Sequence, residues 1–366
     1  MAVVQNIDFD PSTLVTIDDV ILNSIPKRFG RIAESGLFTE EGIVTDTYAF
    51  RYNDEDVSAM TGTKSRLGRE ADRVNTGKQK RAHLSGITFK QEGAIMYEDI
   101  ANRVRDWSSL TPEARNYTVA DLMAEKLPPI RRSMEQMEEY SLLTALQGRT
   151  LDPYDDSVEI DMFANLGKTR TPLTFDLTAT ADVLGQITAL TNQMIATQTY
   201  GSGFTDIEVM IGEAAFSALV THPQIVAMYE AALTGRGAEY INNPFINGRV
   251  NELNRSVFGH VRSVTIQGVT FSTYPQKFTR WDRTAITPIA DDKGFTVLRG
   301  VDGLYQAKYV PAPYLDYIGT QGQKLYAWQT PVKDRTHFEF YLEKHAIYFM
   351  SQPELSLDIT FTLPTP

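Results

Sequence analysis

The sequence predicts an α+β protein, and three observations carry that prediction. Period-2 alternation of apolar side chains recurs along the chain, at Tyr48, Phe50 and Tyr52, at Ile87 and Phe89, at Ile207, Val209 and Ile211, and at Phe338, Phe340 and Leu342. Helical spacing lies between these runs: Val183, Ile187, Leu190 and Met194 fall at i, i+4, i+7 and i+11, on one helical face. The length, 366 residues with 42% hydrophobic and 22% charged positions, is enough to bury one large or two medium cores.

From the N-terminus, the first 42 residues scatter Leu14, Val15, Ile17, Val20, Ile21 and Leu22 among Pro11, Pro26 and several carboxylates. This is the pattern of a short amphipathic helix flanked by extended chain, an arm and not a domain. The strands at Tyr48 and Ile87 then bracket a polar insertion, Gly62 to Gly86, which has almost nothing apolar to build a core and cannot fold alone. After Pro112, Thr118 is the expected N-cap, with Asp121 in the first turn, of a long helix interrupted or kinked at Pro128-Pro129 and stopped by Gly148. Its apolar residues are Ile130, Met134, Met137, Leu143 and Leu146, while Glu135, Glu138 and Glu139 crowd another side.

A strand over Ser157 to Phe163 follows, alternating Val158, Ile160 and Met162, directly after the acid cluster Asp152, Asp155 and Asp156. Residues 170 to 300 form a separate α+β unit. It holds the helix at Val183, the strand at Ile207, a helix from Ala214 to Val220 broken at His222-Pro223, and a hairpin in which Val264, Ile266, Val269 and Phe271 straddle Gln267-Gly268. The final third is mostly strand, including Leu355, Leu357, Ile359 and Phe361, and ends at Pro364. Tyr309, Tyr314, Tyr317, Tyr326 and Trp328 sit among Pro, Gly and Gln, where partly exposed anchoring is expected.

No catalytic, metal or cofactor site is assigned. The five histidines, His83, His222, His260, His337 and His345, are dispersed, and none belongs to a pattern that places two ligands on one metal. Phosphate-binding and dinucleotide-binding glycine loops are absent, as is a nucleophile elbow. With no cysteine, disulfides, thiolate metal sites and thiol nucleophiles are excluded. The carboxylates from Asp152 to Asp161 lack the spacing and final glutamate of a calcium loop. No stretch reaches the roughly 18 apolar residues of a membrane span, and the N-terminus lacks the basic start and apolar core of a secretory signal. A net charge of -11 argues against a protein whose main work is gripping phosphate backbones.

Charge is distributed unevenly. Residues 62 to 86 carry Lys64, Arg66, Arg69, Arg73, Lys78, Lys80 and Arg81 against Glu70 and Asp72, seven basic minus two acidic, or +5 on an acidic chain. The partner of such a loop is an acidic surface. The candidates on this chain are Glu135, Glu138 and Glu139 on the helix and Asp152, Asp155 and Asp156 after it. If the loop of one copy lies across these residues of the next, complementary fields steer assembly and set register. Each surface ion pair contributes only about 0–1 kcal/mol, so the effect comes from many weak contacts.

The stretch Arg131-Arg132-Ser133-Met134-Glu135, running through Leu143 to Ala145-Leu146-Gln147-Gly148-Arg149, resembles the lambda-like phage capsid protein E family, where a basic pair, a glutamate and an A-L-x-x-G-K-type ending recur. Asp206 to Leu219 with Thr221-His222-Pro223 is similar to that family's strand, small-residue turn and helix ending in an H-P pair. Pro311-Ala312-Pro313-Tyr314, leading through Gly319 and Gly322 to Tyr326, is a third similarity. The resemblance implies the Hong Kong 97-like capsid fold: an N-terminal arm at 1–42, an extended hairpin loop at 43–100, a peripheral domain at 101–169 holding a long spine helix within 116–149, an axial domain at 170–300, and strands at 301–366 that return to both domains.

It further implies a major capsid subunit, not an enzyme, that assembles with itself in the host cytoplasm into the hexamers and pentamers of an icosahedral virion head. The implied partners are scaffolding, portal and decoration proteins. Double-stranded DNA would be enclosed without sequence-specific binding. A tail or decoration component, or an enzyme, are the competing classes. Closed shells or rings of purified protein separate the first reading from small oligomers or from a monomer with a deep polar pocket.

Overall fold

The 14-residue strand His337–Met350, which opens on the alternating Phe338, Phe340 and Leu342, is the axis of the first of the two large sheets. The computed structural model describes residues 30–53, 79–106, 109–197, 203–233, 255–256, 259–260, 262–274, 276–330 and 337–364. In the first sheet, His337–Met350 pairs antiparallel with Ile87–Met96, with Tyr326–Thr330 and with Tyr305–Tyr309. Thr39–Gly42 extends the sheet in parallel beside Tyr305–Tyr309. Ala346 has Ile87 on one edge and Tyr309 on the other, so the strand is central there. Every residue from Leu342 to Met350 is buried, including Glu343, Lys344 and His345. Buried charge in a central strand requires partners from outside it.

The second sheet has six strands in the order Ser263–Ile266, Val269–Thr273, Asp206–Ile211, Lys293–Arg299, Asp358–Thr362 and Pro172–Asp176. Its central strand Asp206–Ile211 is buried on both faces from Ile207 onward. On the helix Val183–Thr197, the four residues at helical spacing, Val183, Ile187, Leu190 and Met194, are all fully buried. The helix Glu213–Thr221 ends at His222, and Pro223 opens the next, Pro223–Leu233. The expected hairpin closes through Gln267 at φ 49° and Gly268 at φ 82°, two left-handed residues of the kind a two-residue turn needs.

The long helix is Pro112–Ala145. Its N-cap is Thr111, whose hydroxyl accepts from the Ala114 amide at 3.3 Å, and not Thr118. Thr118 lies inside the helix and donates to the Ala114 carbonyl at 2.9 Å. Pro112 explains the earlier start, since proline at the first helical position loses no hydrogen bond. The helix also runs through Pro128 and Pro129 without a break. Those prolines withhold donors from the Ala124 and Glu125 carbonyls, but both are exposed. The burial of Val119, Leu122, Met123, Leu127 and Met134 holds the helix on either side of them.

Three other expectations are corrected. The partner of Thr47–Asn53 is Gln79–Ser85 and not the strand at Ile87, so the end of the polar insertion forms half of a two-stranded stalk. Only Ala82 and Leu84 alternate inward there, too few to stand out in composition. The strand after the acid cluster stops at Asp161, whose carboxylate caps the short helix Met162–Leu166 by accepting from Ala164 at 3.1 Å. Near the C-terminus, Leu355 belongs to the turn Pro353–Leu355, and the strand begins only at Asp358.

Candidate assembly surfaces

The acidic flank of the long helix turns inward at two of its three glutamates. Glu139 accepts from the backbone amides of Ile32 and Ala33 at 2.7 and 2.9 Å and from the Tyr274 hydroxyl at 2.7 Å. These contacts pin the short helix Arg31–Ser35 to the long helix. Burial pushes the Glu139 carboxyl up to about 7, against the pull of the three donors. Glu138 is buried against Lys344 at 2.5 Å, with Lys324 at 3.7 Å. Glu138 and Glu139, expected to face a neighbouring copy, are thus engaged within their own chain. Glu135 is half-buried and pairs with Arg131 one turn away at 3.0 Å.

Arg31 extends the same junction to the second sheet. It pairs with Glu208, which also pairs with Arg299 at 2.7 Å and accepts from the Ser272 hydroxyl at 2.6 Å. Burial opposes ionisation of Glu208, but the two guanidiniums hold its carboxyl below the usual range. Residues 31 to 33 therefore staple the long helix to the strand Asp206–Ile211. Gly30 permits the approach: its φ is 116°, and a Cβ there would lie 2.2 Å from the Glu139 carboxyl carbon. Gly30→Ala is expected to cost about 1–3 kcal/mol from backbone strain alone. Gly36→Ala, where nothing lies within 4 Å, is the control in the same denaturant titration and should cost less.

A second cluster ties the strand Ile87–Met96 to the C-terminal third. Glu343 binds Lys90 at 2.8 Å and accepts from the Tyr314 hydroxyl at 2.7 Å. Tyr314 packs edge-on against Trp328, which stacks on Tyr341 at 4.3 Å. Of the aromatic run expected as partly exposed anchors, Tyr309 and Tyr326 are buried, and Tyr314, Tyr317 and Trp328 are half-buried. The exposed apolar residues of that segment are Leu315 and Ile318, at 87% and 75%.

The acidic residues that stay at the surface are those of the turn after the long helix. Asp155 is exposed and accepts from the Ser157 amide at 2.9 Å, Asp152 accepts from the Tyr154 amide at 2.7 Å, and Asp156 pairs with Arg280 and accepts from the Tyr140 hydroxyl at 2.5 Å. Beside this turn is a groove of about 410 Å³ lined by Ser133, Met137, Tyr140, Tyr154, Phe278 and Trp281.

Of the basic loop residues, Lys64, Arg66, Arg69, Arg73 and Lys78 lie outside the described residues. Lys80 and Arg81 fall on the stalk strand Gln79–Ser85, where Arg81 is exposed and directly opposite Arg51, also exposed. Two like charges face to face disfavour each other, and an anionic partner would relieve them. Among the described residues, no group of three or more His, Asp or Glu side chains could hold a metal ion, and no helix is long and apolar enough to cross a membrane.

Sequence reasoning missed Arg31, Glu208, Tyr274 and Arg299, since nothing local marks a surface-type residue as buried. The Glu343-Lys344-His345 run inside an otherwise apolar strand was the one legible sign of an internal polar network.

The family model for phage major capsid protein E matches residues 13–361. The major capsid protein of Salmonella phage Felix O1 is 25% identical over 358 residues, covering 92% of this chain and 93% of that protein. A crystal structure described as a prophage capsid protein of E. coli CFT073 superposes with a TM-score of 0.54 at 12% identity, covering 97% of this chain and 99% of the other. The mature capsid of bacteriophage PhiM1 matches more distantly, with a TM-score of 0.46 at 10% identity over 91% and 87% of the two chains. The fold is accordingly the Hong Kong 97-like α+β capsid fold, and the match over nearly the whole chain shows that the protein belongs to the phage major capsid protein E family.

Proposed function

We propose that copies of this chain join by laying the basic loop of one subunit across the acidic turn of the next. As a member of the major capsid protein family, the chain is a structural subunit that assembles with itself into the shell of a phage head and resides in the virion; it is not an enzyme. The observation that carries the docking reading is the stalk. Its strand Gln79–Ser85 closes the segment 62–86, which carries a net charge of +5, and one of those charges, the exposed Arg81, faces the exposed Arg51 without relief from the strand pair. The surface carboxylates of 152–156 are the complement, with Glu135 at the margin.

In this reading the arm is 1–42, the extended loop 43–100, the peripheral domain 101–169, the axial domain 170–300, and the returning strands 301–366. Hexamers and pentamers, assembled in the host cytoplasm, form the closed head, which encloses double-stranded DNA that the acidic wall does not grip. Scaffolding, portal and decoration proteins complete the partners.

Reversing Arg66, Arg69 and Arg73 to glutamate is the test. The variant is expected to keep the circular dichroism of the wild-type subunit yet form no shells by electron microscopy, and wild-type assembly should slow as salt rises. Normal shells from the triple variant would overturn the docking reading.

A further inference from the structure

We propose that the stacked rings of Tyr154 and Trp281, with the groove behind them, are the cradle that receives the arginines of a second copy's loop; this rests on the docking reading above. The two rings are nearly parallel and offset-stacked, their planes 6° apart with centroids at 5.7 Å, and remain 60% and 72% exposed. A stacked pair this open has outer faces and edges to offer, and a guanidinium over such a face is attracted by the ring's negative π-cloud. Large exposed aromatics of this kind are the residues that carry interface energy.

Charge selects the occupant. Residues 152–159 and 277–283 bear Asp152, Asp155, Asp156, Glu159 and Asp282 against Lys277, Arg280 and Arg283, five acidic and three basic, a net of −2. The two cations of the groove lining are already engaged, Arg280 with Asp156 and Lys90 with Glu343. Hydrogen bonds from Ser157 and from Thr284 hold the carboxyls of Asp155 and Asp282 below the usual range, so both stay ionised under assembly conditions. The groove floor, with Met137, Tyr140, Phe278 and Ile286, suits aliphatic side-chain stems. The loop supplies both chemistries in one stretch, with Leu67 beside Arg66 and Val74 beside Arg73.

The absence of cysteine makes crosslinking clean. Subunits carrying Arg69→Cys are co-assembled with subunits carrying Asp155→Cys, and the shells are oxidised mildly. A disulfide-linked dimer on a non-reducing gel is expected, together with at least a twofold drop, in Trp281→Ala shells, of the salt concentration at which half the particles dissociate. Trp281 is exposed, so its truncation leaves folding intact. If Arg69→Cys links instead to a Glu125→Cys subunit, the loop docks elsewhere: the cradle is overturned while the docking reading stands. Linkage only within a double-cysteine single chain, or unchanged salt tolerance of Trp281→Ala, also overturns the cradle. No link to either site, with normal shells from the arginine reversal, removes the docking reading itself.

Discussion

Lys344→Met is expected to destabilise the unassembled subunit by about 3–5 kcal/mol, because it takes from a buried carboxylate its nearest cation. Both side chains of the Lys344–Glu138 pair are at least nine-tenths buried, and they come from the central strand of the first sheet and from the long helix. After the substitution Glu138 retains Lys324 at 3.7 Å and the Tyr348 hydroxyl at 3.5 Å, both longer than the lost contact. Burial already draws the Lys344 ammonium below its ordinary range, with Glu138 opposing the shift. The double variant Lys344→Met with Glu138→Leu should recover most of the loss, since replacing both charges removes the desolvation cost along with the attraction. Urea titrations of the four proteins of this cycle measure the coupling; a double variant no more stable than Lys344→Met alone would show that the pair is not the source of the loss.

The second large effect is a dependence on pH written into Glu139. Its carboxyl is raised from 4.5 to about 7 by burial between the long helix, residues 31–33 and Tyr274. The folded site therefore binds a proton more tightly than the unfolded chain does. Its contribution to stability is complete below about pH 4.5 and is lost as pH rises through about 7, on the order of 3 kcal/mol in total. Glu139→Gln removes the titrating group while keeping an acceptor for the two amides. The melting temperature of the wild-type subunit should fall relative to that of the variant between these two pH values and run parallel to it outside them. Parallel curves throughout would mean that Glu139 ionises freely in the folded subunit. Glu208, which lies in the same junction, is held low by its two arginines and is already ionised across that window.

Much of the architecture was legible because it is written in adjacent residues. The four-residue stripe of Val183, Ile187, Leu190 and Met194, the alternation at Ile207 and at Phe338, and the Gln267-Gly268 turn each state a local geometry that tertiary packing then used unchanged. The Thr118 cap and the interruption at Pro128-Pro129 were read by equally local rules, yet a better-placed proline at 112 and the apolar residues on either side overrode them.

Taken by itself, the sequence determined the α+β class, the family resemblance, the lack of a catalytic constellation and the presence of a basic segment that cannot fold alone. Tertiary structure decided which charges remain free to meet another copy. Glu139 is 107 residues from Ile32 and Glu138 is 206 from Lys344, and no spacing rule spans such distances. Whether a carboxylate faces water or a buried lysine depends on which segments the fold brings against it. For that reason Glu138 and Glu139 turned inward, while the 152–156 turn and its aromatic pair were left at the surface.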